Sequence, residues 1–228
     1  MNAQKSPFKQ AADMIEQQFT KVQSTFGKMK TLETQRRMPE AYEAAFDLAA
    51  ECEKLALLAR ALPHYAGHPL AMGHMEKSIL QSVPVSMDFT DEGRFIMRFP
   101  ALLPKKERGS PEYVRGFLYP AMKQFFDTRP RFRFNDCVII FRHIYNRARP
   151  ERQYRDHDNI ELNAVVDLIT LFLLDGDTPL RCFHFYCSAE SGADETEVIV
   201  LPKANFICWL IGDNILKNGE VTDHDRPP

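Results

Sequence analysis

Val138 to Tyr145 reads Val-Ile-Ile-Phe-Arg-His-Ile-Tyr, a nearly unbroken apolar and β-branched run. Such a run is expected as a central strand covered on both faces, and it fixes how the surrounding sequence is read. Upstream, Val85 to Phe89 and Arg94 to Phe99 flank the turn Asp91-Glu92-Gly93 and predict a β-hairpin. Downstream, strands are expected from Leu180 to Cys187 and from Glu197 to Leu201, separated by a loop rich in Ser, Gly, Asp and Glu. Between them, Asp158-Asn159-Ile160-Glu161 has the form of a capping box opening an almost wholly apolar helix to about Leu174. Ser110-Pro111 starts another helix that ends near Pro130, and a last helix runs from about Pro202 to Leu216.

The first eighty residues follow a helical period instead. Ser6-Pro7 is a helix start, and Ile15, Phe19, Val22, Phe26 and Met29 recur at spacings of four and three. A second helix begins near Pro39 and carries Ala45, Leu48, Cys52, Leu55 and Ala61 before Pro63 and Gly67 stop it. The two stripes are expected to face each other in an antiparallel hairpin, followed by a short helix near Met75 to Ser82. The expected fold class is therefore α+β: an N-terminal helical segment over 1–82, a small mixed β-sheet domain flanked by helices over 83–217, and a loose polar tail over 218–228.

The polar N-terminus lacks the apolar stretch of a signal peptide, and Asp167 and Thr170 interrupt the longest apolar run, so no membrane span is expected. The five cysteines (Cys52, Cys137, Cys182, Cys187 and Cys208) include no Cys-x-x-Cys pair and read as reduced packing residues of a cytoplasmic protein. Net charge is −2, but it is divided unevenly along the chain. From Arg94 to Arg155 there are fifteen Lys/Arg against five Asp/Glu; from Asp156 onward there are four against fourteen.

At that boundary stand Asp156 and Asp158, two residues apart, with side chains able to turn to one side of an extended segment. Asp177 follows the apolar helix and joins them if the chain folds back. Three hard oxygen donors suit Mg²⁺ or Mn²⁺, which activates water and neutralises phosphodiester charge. His143, His157 and His184 add nitrogen donors suited to zinc, although strand histidines are more often satisfied core residues. Arg147, Arg149, Arg152 and Arg155 cluster beside the acidic pair, where phosphates would lie.

The order of core strand, basic loop, Asp156-His157-Asp158-Asn159, apolar helix with Asp167, then Asp177 and a strand resembles the RusA-like Holliday-junction resolvases over about residues 94–201. In that family a D-x-D-N motif preceded by arginines supplies two metal ligands, and an aspartate nineteen residues after the second supplies another; Asp177 stands nineteen after Asp158. The resemblance implies a Mg²⁺-dependent endonuclease acting on branched or structured DNA as a homodimer. Asp156, Asp158 and Asp177 would be catalytic ligands, Asn163 and Asp167 supporting groups, and the four arginines phosphate contacts. Two departures accompany it: Leu162 replaces the family lysine four residues after the second aspartate, and Gly176 occupies one of the paired aspartate positions. The alternative expectation is a non-catalytic descendant that binds DNA, or a protein partner through the N-terminal helices.

Overall fold

The structure is a computed structural model that describes residues 6–107, 109–129, 132–148 and 156–212. It is α+β, with six α-helices and one five-stranded mixed sheet among the described residues. Two compact units divide the chain: 1–84 with 103–124 and 158–168, and 85–102 with 125–157 and 169–228.

In the first unit, the Ser6 hydroxyl accepts the Lys9 N–H at 3.3 Å and Pro7 opens α1, Pro7–Thr34. Arg36, at φ 58°, reverses the chain into α2, Met38–Ala61. Leu32, Ala41, Ala44 and Met29 pack together at the closed end, and the Gln18 amide donates to the Glu51 carbonyl at 2.9 Å farther along, so the pair is antiparallel as expected. The contact face differs from the expected one. Ala11, Gln18 and Leu32 are the buried residues of α1, because small Ala41 and Ala44 admit Leu32 closely, and the phenylalanine stripe is turned aside. After a 3₁₀ turn at Leu62–Ala66 comes α3, Ala71–Ser82, one turn longer than its sequence pattern.

The second unit carries the sheet, in the order β1-β2-β5-β3-β4. β1 (Ser86–Phe89) and β2 (Phe95–Phe99) form the expected hairpin, whose turn places Gly93 at φ 72°. β3, Cys137–Asn146, is interior: β5 (Glu195–Pro202) pairs antiparallel on one side and β4 (Cys182–Ser191) parallel on the other. β4 runs four residues past its expected end, since each residue to Ser191 finds a β3 partner; its polar, exposed end had read as loop. The Asp194 carboxylate then accepts the Asn146 N–H at 2.9 Å, holding the turn that carries the chain over the end of β3 into β5. One sheet face packs Val138, Ile140, Ile199 and Leu201 against Trp209 of α6, Phe206–Gly212.

Two helices cross the division, α4 (Ser110–Asp127) and α5 (Asn163–Leu173). α5 starts four residues later than the capping-box pattern predicts. Residues 159–161 instead lie extended against the 104–106 segment, with the Lys106 N–H donating to Asn159 and the Glu161 N–H to Pro104. The Glu161 carboxylate caps α5 from outside, accepting the Ala164 N–H at 3.1 Å.

Candidate functional site

Asp156 and Asp158 are both exposed and flank His157, which opens a 3₁₀ turn over His157–Asn159. Strand alternation turns Tyr186 and Ser188 to one side of β4, and Phe141 and His143 are their register partners on β3. His157 docks on that row: its Nε2 lies 3.2 Å from Ser188 Oγ, and its ring stacks with Tyr186 at 5.8 Å and with His143 at 6.2 Å. Tyr186 stacks in turn on Phe141 at 5.6 Å, and burial holds its phenol above the ordinary range.

Asp177 occupies the turn before β4, and its charge acts on Cys182, the first residue of that strand. Ser188, the partner of His157, stands six residues farther along, roughly 20 Å at the rise of an extended strand. Among the described residues, no group of three or more His, Cys, Asp or Glu side chains is placed to hold a metal ion.

Asn163 and Asp167, on α5, line an open polar hollow of about 650 Å³ with Lys106, Glu112, Arg115 and Glu161. Arg115 closes on Asp167 at 2.6 Å, so this carboxylate is already an ion-pair partner. Arg147 is exposed at the end of β3; Arg149, Arg152 and Arg155 lie outside the described residues.

Sequence counting could not show how much of the basic stretch is committed to structure. Arg98 and Arg142 meet the buried Glu197 at 2.6 and 2.9 Å. Arg133 donates to the carbonyls of Thr170 and Leu171 at the end of α5, and Arg129 lies 3.8 Å over the Phe125 ring while donating to its carbonyl. Lys105 sits 4.1 Å over Phe46. These cations satisfy acceptors and aromatic faces of the fold, which lowers the free positive charge on offer to a polyanion.

A different surface stands out on α1. Phe8, Phe19 and Phe26 are 43%, 50% and 47% exposed, on the stripe that includes half-buried Ile15 and Val22. The periodicity was visible in the sequence; that α2 packs against another face was not, since it depends on which small residues meet.

The sequence matches the profile of a family described as "Family of unknown function (DUF6100)" over residues 3–223, and the chain belongs to that family. No curated protein matches it. Among solved structures, the periplasmic domain of Helicobacter pylori MotB (residues 90–256) is similar at 11% identity over 60% of this chain and 91% of that one, with a TM-score of 0.30. No described helix is long and apolar enough to cross a membrane.

Proposed function

We propose that this member of the DUF6100 family is an interaction protein whose helical hairpin associates with a second copy through α1. The carrying observation is the exposed row Phe8, Phe19 and Phe26, in which Ile15, Phe19, Val22 and Phe26 follow at spacings of four, three and four and Phe8 stands seven residues before Ile15. That alternation is the seam of a left-handed helix pair. The stripe is also self-complementary, as a two-fold interface requires: antiparallel pairing sets Phe19 of each copy against Val22 of the other, and Phe26 against Ile15. Each half-exposed phenylalanine buried this way contributes about 1 kcal/mol, half the value of a full side chain.

Sedimentation equilibrium tests the reading. Because Cys52 and Cys208 are exposed free thiols, the measurement is made with a reductant present. Wild type is expected at twice the 26.3 kDa chain mass, and the double substitution Phe19→Glu, Phe26→Glu at the chain mass. A wild-type protein that stays at 26.3 kDa throughout the concentration range removes the proposal.

A second reading, metal-dependent cleavage of branched DNA by a RusA-like domain, is favoured by the run Asp156 to Asn159 and the nineteen-residue spacing from Asp158 to Asp177. It requires Asp156, Asp158 and Asp177 to converge on Mg²⁺ or Mn²⁺ once DNA is bound, with Asn163 and Asp167 in support and Arg147, Arg149, Arg152 and Arg155 on the phosphates. The ion would supply charge neutralisation and an activated water. Incubating a four-way junction with wild type and with Asp158→Asn in both metals separates the readings. Cleavage by wild type alone supports the nuclease; no difference between the two proteins eliminates it.

A further inference from the structure

Cys137 and Cys182 open neighbouring parallel strands and are direct register partners, Cys137 of β3 beside Cys182 of β4. Partners in register turn their side chains to the same sheet face. Adjacent strands lie about 4.8 Å apart, inside the roughly 4.4–6.8 Å separation of α-carbons that a disulfide spans. The two thiols hydrogen-bond each other, and both residues are buried, at 1% and 6% exposure, so any small exposure belongs to Cys182. His184, two residues on and therefore on the same face, hydrogen-bonds Cys182 as well. The surroundings are mixed in charge. Lys203 pairs with Asp136 at 2.6 Å beside Cys137, and Asp177 opposes a negative charge on Cys182. Of the five cysteines, Cys52 and Cys208 are exposed and Cys187 belongs to the opposite face, packed with Val138 and Trp209.

We propose that Cys137 and Cys182 are a redox-active dithiol, with Cys182 the thiol that attacks a hydroperoxide and Cys137 the thiol that resolves the product into a cross-strand disulfide. The Cys182 sulfur attacks the distal peroxide oxygen, the O–O bond breaks, and an alcohol (or water, from hydrogen peroxide) leaves after taking one proton. Cys182 becomes a sulfenic acid. The Cys137 sulfur then displaces its hydroxyl, which leaves as water with the Cys137 proton. In sum the two thiols lose two electrons and two protons, and the peroxide is reduced by two electrons. The division of labour follows from the hydrogen bond. The Cys137 S–H donated to Cys182, with His184 adding to it against the cost of burial, brings the Cys182 thiol down to about 5, while the same contact and burial push Cys137 up. Cys182 is thus the thiolate and Cys137 the proton-bearing partner. This assignment goes beyond the interaction proposed for α1 and does not depend on it.

The full-length protein, first reduced, is treated with hydrogen peroxide just below one equivalent, blocked, and digested with trypsin without reductant. The expected product links the peptide Phe134–Arg142 to Cys182–Lys203, with fragment ions placing the bridge on Cys182 and not Cys187. Alkylation of Cys182 by iodoacetamide, followed in the same digest, is expected to be nearly flat with pH from about 6 to 8 and to fall below about 5, whereas an ordinary thiol gains roughly tenfold per pH unit over that upper range. His184→Gln is expected to move the fall to higher pH with the cross-link still forming. Oxidation confined to Cys52 and Cys208, a bridge through Cys187, or a Cys182 profile that climbs like that of Cys208 overturns the proposal. The pH profile is read on wild type, so no variant has to fold for the result to count.

Discussion

Glu197 shows what a single residue is asked to do in this protein. It is 3% exposed on β5, and the guanidinium groups of Arg98 on β2 and Arg142 on β3 converge on its carboxylate. Removing it takes away the carboxylate that pairs with Arg142, itself mostly buried and 5.4 Å over the Trp209 ring. Glu197→Ala is therefore expected to lose about 3 kcal/mol in urea unfolding, whereas Arg98→Ala, whose side chain is half in solvent, should lose no more than about 1 kcal/mol. Equal losses in the two variants would mean that the network is a surface feature. The dithiol adds a second residue-scale expectation. A bridge from Cys137 to Cys182 closes a loop intermediate between those for which chain entropy gives about 3 and about 4.7 kcal/mol, so oxidised protein should gain at most about 4 kcal/mol in the same experiment. Oxidised protein less stable than reduced protein would show a strained bridge.

At the scale of elements, the readable parts were those in which local pattern and tertiary environment agree. β3 was legible because a β-branched run buried on both faces has no competing pattern, and Ile140→Ala, at a fully buried position in the Trp209 cluster, should cost about 2–5 kcal/mol. A loss under about 1 kcal/mol would mean that this face of the sheet is not the core described. The start of α5 was misread because Asp158 and Glu161 satisfy a helix-opening pattern that long-range pairing overrides. Ile160 and Leu162 are buried in an extended segment hydrogen-bonded to Pro104 and Lys106, and only then does the helix begin. The polar end of β4 looked like a loop for the complementary reason: β3 supplies its hydrogen bonds, so side-chain polarity carried no information about them. Glu161→Ala removes the acceptor for the Ala164 N–H and is expected to cost about 1 kcal/mol, read as an earlier thermal midpoint with the β3 amides still protected. No shift would leave the cap without energetic weight.

For the whole molecule, composition misled in one respect and informed in another. The cationic excess over Arg94 to Arg155 invited a polyanion, yet Arg98, Arg115, Arg129, Arg133 and Arg142 already serve carboxylates, carbonyls or rings of their own unit. The three aspartates were legible as residues, but where they stand depends on strand register and on the turn before β4, neither of which their spacing encodes. The phenylalanine period of α1 was plain in the sequence, while its exposure had to be seen in three dimensions. Among the described residues, the α1 seam and the sheet edges β1 and β4 are surfaces open to a second copy of this chain, and hydrogen exchange at two protein concentrations distinguishes them directly. On dilution through the association equilibrium under reducing conditions, amides from Phe8 to Met29 are expected to exchange faster while those of β4 are unchanged. Acceleration confined to Cys182–Ser191, or none anywhere, would contradict association through α1.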